Sequence, residues 1–367
     1  MLIFIVILII VIYFVQDWSK KNALKGITYE YRFSKKLVEP DEPLQLISTI
    51  TNESRHFVPF IRMEESLPRG LEALSKKVYI REDMLGQLKY NSSIYLMARS
   101  RLNRKLMIKF AKRGCYQFHG ADFLGGDFLG LIEKRRHFQQ FREVVVYPKA
   151  TEAPKLNEVM GAFLGDISVR RFIMEDPILT VGARAYTGRE PLNQLSWKHT
   201  ARTNQMMVKQ FDYTTEMLVT VLLDISPVVG ETIHEFECEN CFSLTRGVCQ
   251  YLEKKNIEFE FISNSRLDGA ALDLQRLSRT GMGKSHLHLI LEKLGRATYA
   301  TFETFDEMVE TLASKQHQNR STIIVTPKRD VQKEQVAKKL AQDGTSQLIF
   351  IYGSDYDDLY SRTETHL

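Results

Sequence analysis

The 367-residue chain has little of several features that would assign its class at once. Only four cysteines are present, and Cys115, Cys238, Cys241 and Cys249 lie in stretches typical of ordinary strands and helices, which excludes a small disulfide-held scaffold. The formal charge of +5 is small, so the strong basic excess of a dedicated nucleic-acid-binding protein is absent. The sequence also lacks internal repeats, low-complexity tracts and the G-x-S-x-G motif of many hydrolases. Hydrophobic residues make up 44% of the chain, which excludes disorder as its main state.

An uncharged stretch at the start of the sequence favours a membrane anchor. Leu2 to Val15 carry no charge, and residues 1–18 together reach the roughly 17 to 25 residues that a spanning helix needs. No basic segment precedes the stretch and no small-residue cleavage site follows it, which favours an anchor over a signal peptide. Lys20, Lys21 and Lys25 follow it, so the positive-inside bias predicts a single-pass protein of the inner or cytoplasmic membrane, with its later domains in the cytoplasm.

Residues 27–150 have the pattern of an antiparallel β-sandwich. Leu44 to Thr51 and Lys105 to Phe110 alternate in character, as strands with one buried face do. Arg113-Gly114 supplies a turn, and the alternation resumes at Tyr116 and Phe118, which predicts a hairpin. Several such strands over about 120 residues indicate a sandwich.

Residues 217–354 predict a doubly wound α/β domain of the Rossmann-like kind. Strand-like and helix-like runs alternate there, which implies a parallel sheet covered by helices on both faces. Val219 to Leu223 and Ile323 to Val325 are almost continuously apolar, as doubly buried strands are. The predicted architecture is therefore multi-domain: an anchor, a sandwich, a linking region at 151–216, the α/β domain and an acidic tail at 355–367.

Basic residues are concentrated in one part of the predicted sandwich. From Lys76 to Arg113 there are eleven Lys and Arg residues against Glu82 and Asp83. One interpretation is a solvated face of the sheet, and the other is contact with anionic lipid headgroups or an acidic partner.

Three motif fragments have no catalytic interpretation. His234, Cys238-Glu-Asn-Cys241 and Cys249 share one helical stripe, but its two ends would lie about 22 Å apart, too far to hold one ion. The cysteines are therefore interpreted as small buried apolar side chains. His234-Glu235 begins a zinc-protease motif that Cys238 breaks, and Thr280 to Ser285 lacks the first glycine of a phosphate-binding loop.

One stretch carries a family resemblance. From Arg184 to Arg202 the chain reads R-A-Y-T-G-R-E-P-L-N-Q-L-S-W-K-H-T-A-R, and the apolar strand Leu218 to Ser226 follows. The stretch resembles the signature of the bacterial family called domain of unknown function 58, roughly R-x-Y-x-x-G-D-x-x-R-x-I-x-W-K-x-x-A-R, which precedes a von Willebrand factor A-like domain. Arg189, Asn193 and Ser196 depart from that pattern.

The signature segment is dense in large rings and cations, which are enriched at protein interfaces. We predict that it binds a partner, and an alternative is that the segment docks internally with its tryptophan buried. The residues predicted to contact the partner are Arg184, Tyr186, Trp197, Lys198 and Arg202.

The resemblance also implies a site for a divalent cation at the end of the first α/β strand. In von Willebrand A domains a D-x-S-x-S motif supplies oxygen ligands, which suit hard cations such as Mg²⁺. Asp224 and Ser226 match this motif, but Val228 stands at its third position and Thr326-Pro327 where a later aspartate is expected. The sequence therefore predicts a degenerate, unoccupied metal site, in which Asp224 hydrogen-bonds locally, and no cofactor.

The resemblance implies a non-enzymatic adaptor or scaffold that acts with a MoxR-type AAA+ ATPase, since members of the family are often encoded beside one. Assembly or remodelling of membrane or cell-envelope proteins is the expected process. Two alternatives stay open: a divalent-cation-dependent enzyme that uses Asp224 and Ser226, and a scaffold that binds anionic lipid through the basic sandwich region. No nucleic-acid partner is expected.

Overall fold

The structure is a computed structural model, and it divides into two compact units. It describes residues 24–75, 80–82, 87–126, 133–150, 154–171, 180–188, 190–211, 218–228, 230–232, 234–269, 275, 279–314, 320–341 and 346–360, together with 4, 7, 10, 12–14 and 17. The first unit comprises Met1–Lys149, Leu267–Leu274 and Leu291–Ala297, and the second comprises Ala150–Arg266, Gln275–Ile290 and Thr298–Leu367.

Two β-sheets that share one hydrophobic core form the first unit. The smaller sheet has the strand order β1-β3-β8-β5, and the larger has the order β2-β10-β9-β4-β7-β6. Neighbouring strands are antiparallel except for the short parallel pair β2 and β10. The strands are β1 Ile27–Phe33, β2 Leu37–Val38, β3 Leu44–Asn52, β4 Val58–Leu67, β5 Leu71–Ala73, β6 Ile80–Glu82, β7 Leu88–Leu96, β8 Arg101–Phe110, β9 Gly114–Gly126 and β10 Glu133–Val146.

Period-two alternation places the core between these sheets. Along β3 every second residue is buried, as the pleat of a strand with one covered face requires. Leu44 and Ile50 of the smaller sheet and Ile61 and Phe123 of the larger sheet belong to the same buried cluster. The first unit is therefore a β-sandwich.

Glycine at position 120 is required by an irregularity in the larger sheet. The register of β9 and β10 shifts between Gln139 and Arg142, and Gly120 lies opposite Gln139. Gly120 has a φ of +117°, which L side chains rarely adopt, and a Cβ there would overlap the carbonyl oxygen of Phe138. This position tolerates a bulge only because it has no side chain.

A five-stranded sheet forms the centre of the second unit, in the order β16-β14-β13-β18-β19. All its pairings are parallel except that of β14 with the edge strand β16. The remaining strands of the chain are β11 Thr180–Ala185, β12 Met207–Phe211, β13 Leu218–Leu223, β14 Glu258–Ser263, β15 Ser265–Leu267, β16 Thr280–Gly281, β17 Ala297–Thr301, β18 Arg320–Thr326 and β19 Leu348–Tyr352. The helices are α1 Pro154–Arg171, α2 Trp197–Thr203, α3 Glu235–Lys254, α4 Lys284–Arg296, α5 Phe305–Ser314, α6 Val331–Ala337 and α7 Tyr356–Tyr360.

The chain reverses its direction of travel across this sheet at β13. It passes from β13 to β14 on one side and later returns to β18 on the other side. Leu222 of β13 and Ile324 of β18 pack against α5 through Phe305 and Met308. In an open parallel sheet, such a reversal leaves a crevice beyond the carboxyl ends of the two central strands, and ligands commonly bind there.

The predicted fold class is wrong as stated, because it begins with a transmembrane helix. Within the part of the chain that the structure describes, no helix is long and apolar enough to cross a membrane. Most of residues 1–18 lie outside the described residues. The predicted single-pass topology and the placement at the inner or cytoplasmic membrane depended on that span and are wrong with it.

Candidate functional site

Three polar side chains meet at the carboxyl ends of the central strands. Asp224 follows β13, Asn264 follows β14, and Thr326 is the last residue of β18. Asp224 and Asn264 are fully buried and Thr326 is almost so. Because the three strands are parallel neighbours, these side chains lie at the same edge of the sheet, in the crevice described above.

The carboxylate of Asp224 is completely surrounded by donors. Its Oδ1 accepts from Asn264 Nδ2 at 2.6 Å, from the amide of Ser226 at 3.0 Å and from the Ser226 hydroxyl. Its Oδ2 accepts from Thr326 Oγ1 at 3.2 Å and from Lys333 Nζ at 2.6 Å. A buried carboxylate needs such partners, since an unpaired charge in a protein interior is costly.

Lys333 supplies the positive charge of this cluster from the first turn of α6. The helix begins after Asp330, whose side chain accepts the amide hydrogen of Gln332. Lys333 Nζ donates to Asp224 Oδ2 at 2.6 Å, to the carbonyl oxygen of Ser226 at 2.8 Å and to the Ser226 hydroxyl at 3.1 Å. All three donors of the ammonium group are therefore used, and its side chain is only 10% exposed.

This arrangement does not fit the divalent cation that the sequence resemblance implies. The oxygens of Asp224 and Ser226 that would coordinate a metal surround an ammonium group instead. A Mg²⁺ ion at the same oxygens would need near-octahedral ligands at about 2.0–2.1 Å and would face a positive charge within its first shell. Among the described residues, no group of three or more His, Cys, Asp or Glu side chains could hold a metal ion.

The sequence predicted Asp224 and Ser226 but not the other members of the cluster, Asn264, Thr326 and Lys333. Thr326 was noted only because it stands near the place where an aspartate is expected. Asn264 follows an apolar strand in the same way as Asp224, so the rule that singled out Asp224 could have found it as well. Lys333 gives no such signal, because a lysine in the first turn of a polar helix is normally interpreted as solvent-exposed. Only the packing of α6 beside β13 brings its ammonium group to Asp224.

The signature segment lies between the antiparallel strands β11 and β12. It contains a short 3-10 helix, Leu192–Gln194, and the helix α2. Leu195 bridges Val208 of β12, and the Ser196 amide donates to the Met207 carbonyl at 2.8 Å. Leu195 and Val208 are buried, so the segment docks internally through these residues.

The tryptophan of the segment, by contrast, lies on the surface. Trp197 is 66% exposed, although Ser196 immediately before it is held against β12. Leu192 is 69% exposed, and Met206, next to the Ser196–Met207 hydrogen bond, is 49% exposed. Lys198 and Arg202 of α2 are also exposed. We call Leu192, Trp197, Lys198, Arg202 and Met206 the signature surface.

The other two predicted partner residues have internal roles. Arg184 donates to Glu190 Oε1 at 2.6 Å, and Thr187 donates to the same carboxylate through its hydroxyl at 2.8 Å and its amide at 3.1 Å. Tyr186 is partly buried, and its amide donates to the Met206 carbonyl at 2.9 Å. These contacts fix the loop before α2. Arg189, one of the three departures from the family pattern, lies outside the described residues.

Glu190 is expected to titrate at unusually low pH. Hydrogen bonds from the Thr187 hydroxyl, and next from Arg184, lower the pKa of Glu190 to about 2. A depressed pKa in the folded state stabilises the loop above the unfolded value of about 4.3, and this contribution is lost as the pH falls from there through about 2. Carboxyl-detected NMR of labelled protein measures the midpoint directly. A midpoint near 4.3 would contradict the hydrogen bonds from Thr187 and Arg184 to Glu190. Glu190→Gln is the control, and it should abolish this pH dependence of the loop signals.

Burial disfavours the reactive thiolate form at cysteines of α3. Cys238, Cys241 and Cys249 form no disulfide bond and are buried. Burial raises the pKa of Cys241 and of Cys249 well above the usual range of a thiol. Thiolate chemistry is therefore disfavoured, in agreement with the apolar interpretation of these residues.

Part of the basic sandwich region is paired within the first unit. Lys109 contacts Asp41 at 3.0 Å and Glu72 at 3.1 Å, and the Arg104 guanidinium lies 4.8 Å from the centre of the Tyr90 ring. Residues 76–79 and 83–86 of this region lie outside the described residues. The paired cations agree with a solvated sheet face.

No family model matches the chain. The chain is 23% identical over 186 residues to the uncharacterized protein YeaD of Bacillus subtilis (strain 168), a match that covers 48% of this chain and 43% of YeaD. The match thus spans less than half of that relative. The resemblance to domain of unknown function 58 and to von Willebrand A domains gains no support from these comparisons.

Among solved structures, the chain is similar to the CARDB domain of the PF1109 protein from Pyrococcus furiosus, at 15% identity and a TM-score of 0.22, covering 33% of this chain and 91% of that one. It is also similar to a cohesin module of a family 33 glycoside hydrolase from Clostridium perfringens, at 10% identity and a TM-score of 0.24, covering 33% and 96%. Similarities this weak assign no function.

Proposed function

We propose that the chain is a non-enzymatic adaptor that binds a partner protein through the signature surface. One observation carries the proposal: Trp197, one of only two tryptophans, is 66% exposed on a segment whose backbone is fixed against β12. Isolated exposed apolar residues are common on protein surfaces. Here, however, three large ones, Leu192, Trp197 and Met206, are exposed within fifteen residues of an ordered stretch of chain. Tryptophan is among the residue types most enriched at interface hot spots.

The charges beside Trp197 indicate the character of the partner. Lys198 and Arg202 are four residues apart on α2, so they lie on one face of the helix. A complementary partner therefore offers an apolar pocket with an acidic rim. A MoxR-type AAA+ ATPase is the partner that we propose, because the resemblance of Arg184 to Arg202 implies it.

A non-enzymatic role agrees with the chemistry of the Asp224 cluster, which consists of Asp224, Ser226, Asn264, Thr326 and Lys333. The alternative enzyme would use Asp224 and Ser226 to hold a reactive cation. Both side chains are instead committed to the Lys333 ammonium group, and Asp224 is buried beneath it. Neither group is free to act on a substrate in this arrangement.

Binding to a purified MoxR-type ATPase, measured by isothermal titration calorimetry, tests the proposal. We expect Trp197→Ala to weaken binding by about 30-fold or more, which corresponds to about 2 kcal/mol at a hot spot. Arg202→Glu should also weaken binding to the ATPase, and more strongly at low salt than at high salt, because the charge that complements the acidic rim is reversed. The circular dichroism spectrum should be unchanged, since both side chains are exposed.

Phe236→Ala is the matched control, because Phe236 is 68% exposed on α3 but lies outside the signature surface. It should leave the affinity unchanged. Wild-type binding that is insensitive to Trp197→Ala, or equally sensitive to Phe236→Ala, would overturn the proposed surface.

A further inference from the structure

We propose that the Asp224 cluster is a cation site in which the Lys333 ammonium group serves as a permanent, covalently attached cation. Removal of this group converts the cluster into a binding site for Mg²⁺ or Mn²⁺. The inference does not depend on the proposed partner. It follows from the set of oxygens, the burial of the charges and the position of the cluster in the sheet.

The oxygens around the ammonium group are those that hard divalent cations prefer. A carboxylate oxygen of Asp224, the Ser226 carbonyl and the Ser226 hydroxyl lie 2.6, 2.8 and 3.1 Å from Lys333 Nζ. The Thr326 hydroxyl lies 3.2 Å from the same carboxylate oxygen. Carboxylate, carbonyl and hydroxyl oxygens converging on one point form a hard-cation ligand set, which water molecules could complete.

Burial makes a positive charge at this point necessary. Asp224 is fully buried, and its neutral donors, including Asn264, do not compensate its charge. Lys333 contributes the compensating charge from within the chain, and its Nζ also lies 5.9 Å from the centre of the Phe305 ring. Because the cation is covalently attached, its local concentration does not depend on the divalent ions in solution.

The position of the cluster matters, because a lysine stands there in place of a diffusible cation at the edge of the sheet where ligands commonly bind. Asp224, Asn264 and Thr326 end the three adjacent strands that border the crevice of the sheet. A diffusible metal would make the conformation of this edge depend on metal supply, whereas the lysine fixes it in every condition. At this edge the compensating charge belongs to the chain itself, so we expect it to be unaffected by chelators.

An ordinary buried ion pair would explain the same distances, but it makes a different prediction. Removing the lysine from an ion pair leaves an unpaired carboxylate and lowers stability, with no gain of metal affinity. Removing a tethered cation leaves an open oxygen site that a divalent ion can enter. Metal binding by the lysine-free variant distinguishes the two.

The experiment measures Mn²⁺ binding to the full chain by calorimetry and electron paramagnetic resonance. We expect Lys333→Ala to bind Mn²⁺ at least about tenfold more tightly than wild type, and its melting temperature to rise with Mn²⁺ concentration. Adding Asp224→Asn to Lys333→Ala should abolish the gain. Lys339→Ala, which removes a half-exposed lysine of the same region, should behave as wild type.

Two further measurements keep the test decisive if Lys333→Ala folds poorly. Folding of that variant on addition of Mn²⁺, but not of K⁺, supports the proposal, and the uncharged polar Lys333→Gln variant should also gain affinity. In the wild type, reductive methylation should label Lys333 far more slowly than Lys339. Equal labelling, Mn²⁺ binding by wild type as tight as by the variants, or no gain in any lysine-free variant would overturn the proposal.

Discussion

Lys333→Met is expected to lower the free energy of unfolding of the second unit by about 3–5 kcal/mol, the loss typical when one partner of a buried ion pair is removed. Lys333 is nearly buried, and its ammonium group lies 2.6 Å from the fully buried carboxylate of Asp224. Methionine fills a similar volume, so the expected loss comes from the uncompensated charge and not from a cavity.

The double variant Asp224→Asn/Lys333→Met should recover most of this stability. It removes both charges, and the new amide can still accept from Asn264 and donate to nearby oxygens, so the two substitutions should be strongly non-additive. Lys328→Met is the control: Lys328 pairs with Glu231 at 2.7 Å but is 31% exposed, and such a pair contributes less than about 1 kcal/mol.

Native-state hydrogen exchange of peptides from β13 and β18 measures these effects locally, which suits a protein with two units. Equal losses for Lys333→Met and Lys328→Met, or simple additivity in the double variant, would contradict a buried pair.

Gly120→Ala is expected to destabilise the sandwich by more than about 3 kcal/mol. The φ of +117° costs an L residue about 1–3 kcal/mol. The added Cβ would also overlap the carbonyl oxygen of Phe138, and relieving this overlap requires movement of β10 at a cost of about 1–3 kcal/mol. A backbone carbonyl cannot rotate away as the end of a flexible side chain can.

Gly70→Ala separates the two contributions. Gly70 has a φ of +79°, but a Cβ there would meet the Tyr116 side chain at ordinary distances, the nearest atom being Cε1 at 3.5 Å. Its loss should therefore be about 1–2 kcal/mol, from the backbone alone. Hydrogen exchange of β9 and β10 peptides reports both variants. A loss at Gly120 no larger than the loss at Gly70 would show that the strands accommodate the methyl group.

Local patterns predicted many strands of both units. The alternation of Leu44 to Thr51 and the apolar run Val219 to Leu223 correspond to β3 and β13. A strand with one buried face has alternating apolar residues, and a strand with two buried faces has continuous ones. These strands can therefore be predicted without knowing which strands lie beside them. The N-terminal apolar stretch was misinterpreted, because hydropathy alone does not establish a membrane span.

In the signature segment, local sequence patterns do not predict which side chains are buried. The sequence left open whether Trp197 is buried, since a tryptophan between polar residues fits both a docked and an exposed position. The pairing of Leu195 with Val208, across a loop of more than ten residues, decides that Leu195 turns inward while Trp197 lies in solvent.

By itself, the sequence predicted that Asp224 ends a buried parallel strand and so lies at an edge of the sheet where ligands bind. The alternation of strands and helices implies a parallel sheet, and a continuous apolar run implies burial of both faces. Only the tertiary structure decided what meets that carboxylate. Lys333 is more than one hundred residues away along the chain, and no local pattern distinguishes a lysine that reaches into a buried pocket from one that extends into water. The packing of α6 beside the sheet places the Lys333 ammonium group at Asp224. A set of oxygens suited to a metal ion therefore holds an ammonium group instead.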